Sequence, residues 1–210
     1  MTRTIIFYRT VDGKCPVQDF LDALPGKVAQ KVAWVLRLLE DLEMVPATYF
    51  KKLIGTEDIW ECRIQYGSNI YRIFCFFDSH SVVILTHGFE KKSMKTPRQE
   101  IERAETYRCD YLNRKGQKEM SDLKKYIAKR KKTDKEFAEG FEEGYGQFKI
   151  GVVLRQARES AGLTQEELAV RLKTQKTAIS RIENHAEDIK LSTLDRVAKA
   201  LGKRLEVNIV

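Results

Sequence analysis

The segment Leu163–Asn184, LTQEELAVRLKTQKTAISRIEN, sets two short helical patterns three residues apart. Thr164 is placed to cap the first helix. Glu167, three residues on, supplies the reciprocal half of a capping box. Leu168, Ala169 and Leu172 share the buried face of that helix, and Lys173, Thr174 and Gln175 form the turn. In the second helix Ala178, Ile179 and Ile182 point inward, which leaves Gln175, Lys176, Thr177, Ser180 and Arg181 facing out. An exposed helix with that set of donors, acceptors and cations is what reading a DNA major groove requires. The alternative is an amphipathic hairpin that only packs.

The rest of the chain has room for a second domain. At 210 residues two domains can each bury a core. No apolar run approaches the roughly 20 residues that span a bilayer. The first residues, MTRTIIFYRTVDGK, lack the apolar core and cleavage site of a signal peptide, so a cytoplasmic protein without membrane contact is expected. The net charge of +8 suggests a polyanionic partner, and both halves are basic. Cys15, Cys62, Cys75 and Cys109 show neither CxxC spacing nor the density of a disulfide framework, so reduced structural thiols are expected. His80, His87 and His185 are scattered, and zinc spacing, GxGxxG and Walker loops are missing. No metal or cofactor is expected.

The first half reads as strand, two helices, three strands and a helix. Thr4–Tyr8 is a β-rich run, and helices over Val17–Leu24 and Val28–Leu42 are broken at Pro25 and Gly26. Ile59–Tyr66 alternates, with Trp60, Cys62 and Ile64 on one face and Glu61, Arg63 and Gln65 on the other. Ile70–Phe77 and Ser81–Phe89 are β-branched and aromatic. A helix follows from Pro97 through Ile101, Ala104 and Tyr107 to Leu112. The expected fold is an α+β domain, an antiparallel sheet with helices on one face, followed by an all-α five-helix domain with a short C-terminal strand.

Three stretches carry a resemblance to known families. LTQ…LA with ISRIEN resembles the helix-turn-helix of the Cro/lambda-repressor (XRE) family. KKLIGTEDIWECRIQYGSNIYRIFCFF with HGFEKKSMKTPRQEIERA is similar to the RelE/ParE toxin superfamily, and within it to the HigB-type (Gp49-like) branch. MSDLKKYIAKRKKTDKEFAEGFEEGYGQFKIGVVLRQARE is similar to the start of HigA-type antitoxins. Together they imply a toxin fused to its antitoxin. A toxin domain is expected over 1–116, a junction with antitoxin N-terminal helices over 117–146, and an XRE domain over 147–210. The internal Met120, after a polar stretch, is consistent with two joined reading frames or with a charged linker helix.

The toxin resemblance implies a metal-independent endoribonuclease that cuts mRNA on the ribosome. Such chemistry needs a 2′-OH deprotonated, a phosphorane stabilised and a 5′-oxygen protonated. Arg63 and Arg72, on adjacent strands, suit the phosphorane. Glu61 shares their face as a base, and Lys91 and Lys92 complete the catalytic set. Lys51, Lys52 and Lys95 are RNA-binding candidates. His87 is either an acid-base group or a hydrogen-bonded structural residue. Inhibition of gyrase by the same fold is a further possibility, with no need for this constellation.

In the second half, helices are expected over Ser121–Lys132 and Asp134–Tyr145. Leu123, Tyr126, Ile127, Phe137 and Phe141 are the candidate toxin–antitoxin interface, within one chain or between chains. Gln165, Gln175, Lys176, Thr177, Ser180 and Arg181 are the DNA-binding candidates, with operator DNA as partner. The alternating tail RLEVNIV is β-prone and suggests pairing with the same strand of another copy, as in a homodimer, or with an edge of the toxin. A plain XRE regulator with a non-catalytic RelE-like first domain is the competing function.

Overall fold

The computed structural model describes residues 3–92, 96–114, 121–184 and 189–207. The chain divides into two units, Met1–Glu139 and Gly140–Val210.

The first unit is built on a five-stranded sheet. Its strands are β1 (Thr4–Phe7), β2 (Phe50–Lys52), β3 (Trp60–Tyr66), β4 (Asn69–Ser79) and β5 (Val82–Glu90), in the order β1-β5-β4-β3-β2. Helices α1 (Pro16–Asp22) and α2 (Gly26–Asp41) follow β1, α3 (Arg98–Asn113) follows β5, and α4 (Asp122–Thr133) and α5 (Lys135–Ala138) close the unit. The sheet is mixed rather than antiparallel, because β1 runs parallel to β5. The residues of β1 alternate as expected, but its direction is set by pairing across 78 residues of chain and has no local signature. β2 is only three residues long and carries no readable alternation.

Helices cover both faces of this sheet, not one. On the face of Cys62 and Ile73, Gly88 leaves the space taken by Phe20 of α1; a Cβ there would lie 2.2 Å from its ring. The opposite face carries Tyr8, Phe74, Phe76 and Ile84, which pack with Ala104, Ile101, Tyr107 and Tyr111 of α3. The apolar stripe of α3 finds its partners here, and Tyr107 and Tyr111 serve packing.

The outer edge of β1 presents two backbone donors. The Ile5 N–H donates to Glu40 Oε1 at 3.3 Å, and the Phe7 N–H donates to Asp122 Oδ2 at 3.1 Å. Ser121 Oγ donates to the same Glu40 oxygen at 2.5 Å. Buried carboxylates from α2 and α4 therefore satisfy an edge that would otherwise be open to pairing.

The second unit contains four helices among the described residues: α6 (Phe141–Ser160), α7 (Gln165–Arg171), α8 (Lys176–Asn184) and α9 (Leu191–Ala200). Four of the five helices expected over 147–210 are present among the described residues, and the first of them, α6, begins earlier than expected, at Phe141. Its start also divides the helix expected over Asp134–Tyr145, because Gly140 adopts a left-handed φ of 65° between α5 and α6. The core joins Leu168, Ala169, Ile179, Val197 and Leu201, with Leu154, Ala157 and Leu172 against it. Gly151 permits close approach of α6 to α8, since a Cβ there would lie 2.5 Å from the Glu183 carbonyl oxygen. Residues 203–207 are not a strand, and 208–210 lie outside the described residues. Among the described residues this unit holds no strand for Leu205 and Val207 to pair with.

Candidate functional site

Strand pairing assembles a row of charge on the sheet. Arg63 of β3 faces Arg72 of β4, and Lys51 of β2 faces Glu61. Alternation puts all four on one face, with Trp60, Cys62 and Ile64 on the other. Glu61 Oε1 lies 3.2 Å from Arg63 Nε, and Oε2 lies 3.2 Å from Arg72 Nε. Each carboxylate oxygen thus serves one arginine. Arg72 Nη1 also donates to the Tyr71 carbonyl at 2.9 Å, and Arg63 Nη1 to the Ala47 carbonyl at 3.3 Å. The Glu61 and Arg72 side chains are 8% and 7% exposed, whereas Arg63 is 34% exposed. Burial pushes the Arg72 guanidinium below its usual range, with Glu61 opposing that effect and Arg63 adding to it. Three cations, Lys51, Arg63 and Arg72, against the one Glu61 carboxylate leave the row with positive charge, as an oxyanion site requires.

The lysines separate by position. The Lys91 N–H donates to the Ile70 carbonyl at 2.7 Å, which extends the β4–β5 ladder and puts Lys91 on the face of Arg72 and Phe89. Lys92 is exposed one residue on. Lys52 belongs to the other face, where its ammonium lies 2.9 Å from Asp58 and over the Trp60 ring. As an RNA-binding candidate Lys52 is therefore separated from the row by strand parity, although Lys51 beside it is not. Lys95 lies outside the described residues. His87 is buried, with Nε2 3.0 Å from Glu100 Oε2 and Nδ1 3.2 Å from Thr86 Oγ1. Burial, helped by Arg103, holds its pKa down to about 4, so the ring is a neutral structural group at pH 7.

Residues 121–139 pack against the rest of the first unit through their backbone partners as much as through apolar surface. Leu123, Tyr126 and Phe137 are buried and Ile127 is partly so. The Tyr126 hydroxyl donates to the Leu21 carbonyl at 3.2 Å, and burial raises its pKa to about 12. Arg130 donates to the carbonyls of Leu21 and Leu24, each at 2.8 Å, and so caps the end of α1. Gln30 Nε2 donates to the Phe137 and Glu139 carbonyls, both at 2.8 Å. Gly26 begins α2 without a side chain because a Cβ would lie 2.7 Å from Glu136 Cβ. Phe141 is buried but belongs to the second unit. Glu40, Ser121 and Asp122 were not readable as contact residues. Ser-Asp before an apolar run signals a helix start, and nothing local says which strand it will meet.

In the second unit the capping box is present: Thr164 Oγ1 accepts from the Glu167 N–H, and Glu167 Oε2 accepts from the Thr164 N–H. At the end of α7 the Thr174 N–H donates to the Ala169 carbonyl and the Lys173 N–H to that of Val170. This cap requires a left-handed residue, and Lys173 supplies it at φ 53°. Gln175, Lys176, Thr177 and Arg181 are exposed along α8. Ser180 is half-buried and its Oγ accepts from Asn184 Nδ2 at 3.2 Å. Gln165 Nε2 donates to Glu183 Oε2 at 2.8 Å and so braces α7 against α8. Burial alone raises the Glu183 pKa, but donation by Arg158 and Gln165, with the charge of Arg155, holds it below the usual carboxylate range.

Residues 19–108 match the family described as Phage derived protein Gp49-like (DUF891), and residues 154–208 match the family described as Helix-turn-helix. No curated protein matches the chain. Among the described residues no helix is long and apolar enough to cross a membrane. The chain thus carries a Gp49-like domain of the phage and toxin type followed by an XRE-type DNA-binding helix-turn-helix, the layout of a toxin fused to an XRE antitoxin.

Proposed function

We propose that the chain is a type II toxin–antitoxin module in one polypeptide. Its first domain is a ribosome-dependent mRNA endoribonuclease, and its second half neutralises that domain and represses its own promoter as a homodimer. The observation that carries this reading is the Glu61–Arg63–Arg72 row, because two arginines held on paired strands suit a phosphorane better than a structural salt bridge would need. In the reaction Glu61 takes the 2′-hydroxyl proton as that oxygen attacks the adjacent phosphorus, the bond to the 5′-oxygen breaks, and a second proton passes to the leaving 5′-oxygen. Arg63 and Arg72 stabilise the phosphorane, Lys91 or Lys92 supplies the proton, and Lys51 neutralises a neighbouring phosphate. Residues 121–139 are the antitoxin segment that grips the toxin in cis. They touch α1, α2 and β1, and β1 is the sheet edge away from the strands of the row, so they act by adding bulk to a domain that must enter the ribosome.

The competing regulator reading is favoured by the burial of Glu61 and Arg72, which keeps two members of the row from solvent. Expressing residues 1–119 in bacteria separates the two. Growth arrest that Arg72→Ala and Arg63→Ala each abolish, through rate losses of about 100-fold or more, supports the nuclease. Full toxicity of a soluble Arg72→Ala variant removes this site.

A further inference from the structure

The row has the wrong resting arrangement for an open phosphate site. Its arginines already hold an oxyanion, the Glu61 carboxylate, and Arg72 is closed from solvent. The hold is incomplete: Glu61 Oε2, Arg63 Nε and Arg72 Nε are buried without a well-aligned hydrogen bond, although the charges lie 3.2 Å apart. Carboxylate and phosphodiester present similar oxygens to a guanidinium, so the two compete for the same donors.

We propose that Glu61 occupies the anion site in the free protein and that a single-stranded RNA phosphodiester displaces its carboxylate from Arg63 and Arg72. This rests on the reading of the row as a phosphate site. Arg63, the more exposed of the two arginines, is where the phosphodiester enters. Displacement turns Glu61 away on its own side-chain torsions and leaves Arg72 to the incoming oxygens. Lys51, exposed and directly opposite Glu61 on β2, gives the released carboxylate a new cationic neighbour. Before RNA arrives Glu61 keeps both arginines aimed at one point, and displacement frees its carboxylate to act as the base. Burying the Arg72 guanidinium beside Arg63 without a counter-anion is costly, which is why the free protein keeps one in place.

The test uses the intact chain and a 2′-O-methyl RNA trinucleotide, which lacks the attacking hydroxyl and has no duplex groove for α8. Glu61→Gln keeps the shape and removes the competing charge. If the open state is populated about one part in ten, binding measured by fluorescence anisotropy tightens about tenfold in that variant, and adding Arg72→Met removes the gain. Unchanged or weaker binding by Glu61→Gln overturns displacement. A second readout is the thermal midpoint in inorganic phosphate: it rises more for Glu61→Gln than for the wild type, because phosphate fills the emptied site. A variant that unfolds at low salt and refolds in phosphate supports the proposal, and one that phosphate does not rescue counts against it. The two readings fail separately. Tighter binding without growth arrest by residues 1–119 shown to be soluble and folded leaves an anion site and removes the nuclease. Growth arrest without tighter binding keeps the nuclease and removes displacement.

Discussion

Asp122 Oδ2 accepts the Phe7 N–H at 3.1 Å, and through this bond a residue 115 positions away closes the open edge of the first strand. The relationship ties the segment after the junction to the first domain by its backbone, which side-chain repacking cannot replace.

Removing that acceptor leaves a buried donor unpaired. Asp122→Ala is expected to cost the first unit about 1–3 kcal/mol. Trp34 and Trp60, the only two tryptophans in the chain, both lie in this unit, so tryptophan fluorescence during urea unfolding reports it alone. A lower midpoint with an unchanged slope is the predicted result, and an unchanged midpoint means the bond contributes nothing.

Lys173 stands where glycine stands in two equivalent caps. Gly162 after α6 and Gly202 after α9 have φ of 69° and 67° and close the same pair of hydrogen bonds. Lysine there bears a left-handed penalty that glycine escapes. Lys173→Gly is expected to stabilise the second unit by about 1 kcal/mol, read as a higher thermal midpoint by circular dichroism. Gly202→Ala should lower it. A loss of stability in Lys173→Gly would show that the lysine side chain itself holds the turn.

Much of this was legible locally. The capping box at Thr164, the apolar spacing of α8 and the alternation of β3 each depend on neighbours within a few residues, and each stands where the pattern puts it. Glu61, Arg63 and Arg72 could be gathered on one face by counting alternate positions. Parity separates Lys52 from Lys51, but only once the β2–β3 register is known. The parallel β1–β5 pairing, the second helical layer from α3 and the Glu40–Asp122 edge caps all join residues remote in sequence. Their partners are chosen by packing, and no short pattern encodes them.

The exposed face of α8 makes a further prediction about DNA. Arg181→Ala or Gln175→Ala should cost roughly 1–3 kcal/mol and relax specificity at one position if the residue reads a base. A phosphate contact would weaken all sequences alike and reduce the salt slope. Gel-shift titrations across salt concentrations on the chain's own promoter decide between them. Wild-type binding there no tighter than to random duplex means that α8 is not used for specific recognition.

The central claim is that one chain holds a toxin together with what restrains it. Its most direct test compares bacterial growth on inducing residues 1–119 with growth on inducing the intact chain, at matched soluble levels. Arrest by the fragment and growth with the intact chain is the predicted result. Normal growth with both, or equal arrest by both, contradicts it.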